Sequence, residues 1–164
     1  SGCNMKCPYC QNWQISRGYS GAEVTIEKLA EIMIELQKNG AENINFVTGT
    51  HFIPSIKESV LKARVLGLKI PLVWNCSGYE STEAIDFLST FIDIYLPDYK
   101  TSDTALAKRL YLAQDYPQIA EKAILKRFIR KLYARYSVQF SVVDMFIAQY
   151  MVVFIRKKAQ NKRH

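Results

Sequence analysis

Apolar residues recur at helical spacing through Ile26, Leu29, Ala30, Met33 and Leu36, between Thr25 and Gly40. Threonine caps helix starts and glycine commonly ends them, so EVTIEKLAEIMIELQKNG predicts one amphipathic helix. ENINFVTGT then predicts a short strand, about Ile44 to Val47, stopping at a Thr-Gly-Thr turn. Pro54 to Leu66 predicts a second helix closed by Gly67, and KIPLVWN a second strand. Ser81 caps a short helix reaching Thr90, FIDIYLPDYK supplies a third strand, and Ser102 or Asp103 opens a helix over LAKRLYLA. Strands alternating with helices in this way are βαβ units on a parallel sheet, so the expected class is α/β. Right-handed crossovers put the C-terminal ends of all such strands on one face, where α/β sites form.

From about Leu125 the pattern breaks, with no Gly and no Pro through to His164. The apolar run from Val138 to Ile155 is interrupted by Gln139, Ser141, Asp144 and Gln149, which argues against a membrane span. A basic amphipathic helix, or a stretch that packs poorly, is the expectation, and the predicted division is 1–124 and 125–164. With 49% hydrophobic and 23% charged residues, the 164-residue chain suits an ordered globular domain that needs no disulfide staples. The net charge of +7 is unevenly placed. Residues 1–120 hold 11 Lys and Arg against 13 Asp and Glu, whereas residues 121–164 hold 11 against 2. The basic character therefore belongs to the last quarter, which reads as a solvated tail, and nucleic-acid binding is not expected.

Three of the four cysteines fall within GCNMKCPYCQNW: Cys3, Cys7 and Cys10, spaced C-x3-C-x2-C. No secretory signal is expected before them, and clustered thiols without a disulfide framework point to a reducing, cytoplasmic setting and to metal or redox chemistry. A closed structural zinc site wants four ligands, and no second pair of cysteines or histidines is spaced to complete one. A C-x-x-C redox motif leaves Cys3 unexplained. Three thiolates on one loop suit three irons of a cubane cluster, with the fourth iron open. Zinc, or a purely structural role, stays as the bland alternative. Cys76 reads as a small buried residue, and His51 as a site contact or an ordinary hydrogen-bonded histidine in equal measure.

The cysteine spacing with Tyr9 before the last thiol resembles the radical S-adenosylmethionine superfamily. CPYCQNW is similar to the cysteine motif of pyruvate formate-lyase-activating enzymes. INFVTGTHFIP, IPLVWNCSGYE and IDIYLPDYKTSD extend the likeness over about residues 1–124. The resemblance implies a partial (β/α) barrel missing its first strand and its C-terminal units. It implies a four-iron, four-sulfur cluster on Cys3, Cys7 and Cys10, with S-adenosylmethionine chelating the open iron. Reductive cleavage would then yield a 5′-deoxyadenosyl radical, in the activase version passed to a glycyl radical enzyme. Tyr9 would lie near the adenine. Thr48, Gly49 and Thr50 stand where the superfamily has a Gly-Gly-Glu turn for the methionine amino group, so the carboxylate of that turn is absent here. Asn75 and Ser77, just past the second strand, would reach the ribose or methionine end. Asp98 and Lys100 would hold ribose hydroxyls and the methionine carboxylate. A flavodoxin- or ferredoxin-type electron donor is implied, with a glycyl radical enzyme or a small molecule as the substrate partner. The competing reading is a catalytically inactive fragment that only binds an iron–sulfur cluster or zinc.

Overall fold

The computed structural model describes residues 2–18 and 20–136, with side chains in the last helix described as far as Arg127. The first compact unit is Ser1–Ile124 and the second begins at Leu125. The apolar run beyond Val138, on which the membrane and tail expectations rest, lies outside the described residues.

After a one-turn helix α1 (Trp13–Ser16), the first unit alternates as the periodicity predicts. Helix α2 (Ile26–Lys38) leads to β1 (Ile44–Val47), a 3-10 turn (Thr50–Phe52) and α3 (Ile53–Val65). Then come β2 (Leu72–Cys76), α4 (Thr82–Leu88), β3 (Ile94–Pro97), α5 (Thr104–Tyr111) and α6 (Tyr116–Tyr136). The caps are where the sequence puts them. Thr25 Oγ1 accepts from Lys28 N–H at 3.1 Å and Ser81 Oγ from Ala84 N–H at 3.1 Å. Asp103, rather than Ser102, opens α5, accepting from both Ala105 and Leu106 N–H.

Among the described residues the three strands form one parallel sheet in the order β1-β2-β3. Ile44 pairs with Leu72 and Phe46 with Trp74, while Trp74 pairs with Tyr95 and Asn75 with Leu96. Side chains alternate across a strand, so this register sorts the sheet into two unlike faces. Ile44, Leu72, Trp74 and Cys76 are buried against Met33 of α2, Ile56 and Val60 of α3, and Ile85 and Leu88 of α4. On the other face Val47, Ile94 and Leu96 are exposed. Parallel sheets usually have both faces covered; on this second face, among the described residues, central Val73 is buried while Val47, Ile94 and Leu96 around it stay exposed.

A second, smaller core forms beside the cysteine loop. Met5 of that loop packs with Ala107 and Tyr111 of α5, Ala113, and Tyr116 and Ala120 of α6, and Cys3 and Cys7 lie against it. This core depends on α6, whose start the sequence reading does not mark. Its inward residues are a tyrosine and alanines, so no large apolar stripe shows at helical spacing.

Candidate metal and cofactor site

The cysteine loop is a closed structure held from several sides. Gly2 N–H donates to Ile15 O at 2.9 Å, joining the loop's two ends, and Cys10 N–H donates to Cys7 O at 3.2 Å in a tight turn. The Arg17 guanidinium donates to Cys7 O. Thr48 Oγ1, at the end of β1, donates to Gly2 O at 3.3 Å. From within the loop, Asn4 Nδ2 donates to Tyr79 O at 2.7 Å and Asn4 Oδ1 accepts from Ser77 Oγ at 3.4 Å. Gly2 has φ +109, and a Cβ there would come 2.9 Å from His51 Nε2. Glycine is thus needed twice over, for the backbone conformation and for the imidazole lying against it. The loop sits at the C-terminal ends of β1 and β2.

All three cysteines on the loop are free and half-buried. Burial pushes the Cys7 thiol up; Lys100 opposes this, and Cys3 and Cys10 add to it, so all three lie within electrostatic reach of Cys7. Lys100 Nζ donates to Asp98 Oδ2 at 2.9 Å. Burial pulls the ammonium's pKa down, but the Asp98 bond and the Cys7 charge outweigh that, and the net shift is upward. Lys100 therefore stays cationic beside the thiols. Among the described residues no three His, Cys, Asp or Glu side chains gather closely enough to hold a single metal ion. Three thiol sulfurs on one loop are the donor type an iron–sulfur cluster takes, one thiolate per iron.

The sequence-predicted residues divide into two groups. Asp98 and Lys100 come together next to Cys7, and Tyr9 stands over α5 with its ring centroid 6.0 Å from that of Tyr111. Thr48 and Ser77 are engaged in holding the loop. Gly49 has a packing role: a Cβ there would meet Ile56 Cδ1 and the Trp74 ring, each at 2.9 Å. Thr50 Oγ1 points to Glu80, donating to Oε1 at 2.9 Å. Strand β2 runs on to Cys76, so Asn75 is inside it, on the face shared with Leu96, and Ser77 is the first residue beyond. Cys76 is buried in the main core, and burial together with Glu80 pushes its thiol pKa up.

Four participants escaped the sequence reading: Asn4, Arg17, Glu80 and Tyr116. Glu80 is only 1% exposed. Its Oε2 has no partner of hydrogen-bonding geometry, although the Trp74 indole and Cys76 thiol face the carboxyl. Asn4, between Cys3 and Met5 inside the cysteine motif, carries no signal of its own in one sequence.

A family model described as the radical SAM superfamily matches residues 1–133. The chain belongs to the radical SAM superfamily. Over 128 residues, 74% of the chain, it is 30% identical to the uncharacterized protein MJ0674 of Methanocaldococcus jannaschii. The chain spans 37% of that relative's length. No solved structure matches it. Radical SAM proteins typically bind a four-iron, four-sulfur cluster and S-adenosylmethionine.

Proposed function

We propose that this radical SAM chain holds a four-iron, four-sulfur cluster on Cys3, Cys7 and Cys10 and binds S-adenosylmethionine beside it. When bound, the pair supplies reductive cleavage to methionine and a 5′-deoxyadenosyl radical. The observation that supports this most is the placement of the thiol loop. It is pinned at the C-terminal ends of parallel strands, with a paired ammonium, Lys100, within electrostatic reach of Cys7.

The chain's own residues have distinct tasks in this reading. Lys100, oriented by Asp98, offers a cation to the methionine carboxylate, and the second Asp98 oxygen is left for a ribose hydroxyl. Tyr9, 56% exposed and edge-on to Tyr111, offers an aromatic face to the adenine. Asn75 projects from the open sheet face and reaches the ribose or methionine end. Thr48, Gly49 and Thr50 serve the site by shape: they hold Gly2, admit Trp74 and tie to Glu80. The surrounding architecture in this reading is a partial (β/α) barrel over residues 1–124, followed by a basic segment over 125–164. The activase-like cysteine motif supports a glycyl radical enzyme as the partner, with a flavodoxin- or ferredoxin-type donor in the cytoplasm.

A second reading, a cluster-binding module without catalysis, draws on the exposure of Val47, Ile94 and Leu96 on the sheet face. One assay separates the two. After anaerobic reconstitution with iron and sulfide and reduction by dithionite, S-adenosylmethionine is added and 5′-deoxyadenosine measured by chromatography. Product that disappears in Cys7→Ala supports catalysis. A reduced cluster without product supports the module, and stoichiometric zinc without a cluster refutes the proposal.

A further inference from the structure

Tyr116, at the start of α6, is fully buried, and its hydroxyl joins two loops far apart in sequence. Its oxygen accepts from Lys100 N–H at 2.8 Å. Its single proton faces two carbonyls, Ser77 O at 2.9 Å and Asp98 O at 3.0 Å. Ser77 follows β2, and Asp98 and Lys100 follow β3, so one hydroxyl clamps both strand ends. The ring is held by three other tyrosines, with centroids 5.9 Å away at Tyr79, 6.4 Å at Tyr99 and 5.6 Å at Tyr111. Gly78 gives independent evidence of the same close approach. It has φ +77, and a Cβ on it would lie 2.8 Å from Asp98 O and 3.5 Å from the Ala120 methyl of α6.

We propose that Tyr116 is the positioning residue of the cofactor site, fixing the Asp98–Lys100 pair against the Ser77 loop so that Lys100 faces the cysteines. It touches no reacting atom and acts through backbone that would otherwise splay. The Lys100 N–H and the Ser77 and Asp98 carbonyls are all met by this one hydroxyl. Replacing it leaves a donor and two acceptors to find water or move, and movement of Lys100 is movement of the cation. Gly78 complements this from the other side, because no side chain at 78 keeps the loops apart.

This inference rests on the proposed function, and the test separates the two. Tyr116→Phe deletes the hydroxyl alone, and Gly78→Ala wedges the same two loops apart by a different route. Each is made in the full chain, reconstituted anaerobically, and read in three ways: cluster content by iron, sulfide and absorbance, S-adenosylmethionine affinity by equilibrium dialysis, and amide hydrogen exchange. Both variants are expected to keep a full cluster, to exchange faster at 77–79 and 98–101 only, and to bind S-adenosylmethionine about tenfold more weakly, as loss of one buried hydrogen-bonded group predicts. Unchanged exchange at those loops overturns the inference, as does unchanged affinity. Faster exchange everywhere with loss of the cluster also overturns it, because Tyr116 would then be general scaffold. If the unaltered chain loads a cluster but binds no S-adenosylmethionine, the proposed function and this inference fall together. If it binds and Tyr116→Phe binds equally, only this inference falls.

Discussion

Glu80 is a carboxyl surrounded by Thr50, Cys76 and Trp74, and burial, the largest influence on it, pushes its pKa above the usual carboxylate range. Thr50, Cys76 and Trp74 pull the other way without cancelling it. A raised pKa means the folded chain holds this proton more tightly than the unfolded chain does. The stability it gives is complete below the unfolded carboxylate value and is lost as pH rises through the folded value. Urea unfolding across that window should show the chain weakening as pH rises, and Glu80→Gln, which cannot ionise, should flatten the profile. An equally steep profile in Glu80→Gln would assign the dependence to other groups. Gly49→Ala tests a neighbouring point: a methyl there meets Ile56 and Trp74, so about 1–3 kcal/mol of overpacking should appear in the unfolding free energy. The resemblance marks the Thr-Gly-Thr turn as a cofactor contact, and the structure adds a packing reason for its glycine. The Thr50–Glu80 bond was hidden from the sequence because it spans 30 residues and arises only when β1 and β2 pair.

At the scale of elements, legibility followed local chemistry. Helices α2, α4 and α5 open on Thr25, Ser81 and Asp103, whose side chains accept from the first turn, and this pattern lies within three residues of sequence. Strand β1 runs Ile44–Val47 as its apolar pattern predicts. Helix α6 was not legible, since Tyr116, Ala120 and Ala123 bury into two different clusters and offer no large apolar repeat. Asp103 caps with two hydrogen bonds, at 2.7 and 3.0 Å, on the eight-residue α5. Asp103→Ala should therefore cost about 1 kcal/mol. Because Ala107 and Tyr111 of α5 support Met5 beneath the cysteine loop, the same change should loosen the loop. Alkylation of the three loop thiols in the metal-free chain should quicken while that of buried Cys76 stays slow. Equal acceleration at all four would indicate global unfolding.

For the first unit as a whole, the two faces of the sheet are unlike. Its helix-bearing face is filled by Trp74, Leu72 and Cys76, while the opposite face leaves Val47 57% and Leu96 45% exposed, with Ile94 alongside. Among the described residues neither β1 nor β3 has a further strand beside it. Unpaired edges next to an apolar face are where strands add and chains associate. Asn75 lies in register with Leu96 on that same face, so the cofactor, if bound as proposed, sits against its exposed Leu96 end rather than its buried centre at Val73. The purified chain should bind a fluorescent apolar dye and grow in apparent mass with concentration. Val47→Thr with Leu96→Thr should reduce both while leaving the unfolding midpoint nearly unchanged, since exposed side chains contribute little to burial. Reconstitution with S-adenosylmethionine should reduce dye binding in the unaltered chain as well, by covering Asn75 and its neighbours. Dye binding that persists unchanged with cofactor present, yet falls with the two threonines, would place the cofactor away from this face and remove Asn75 from its contacts.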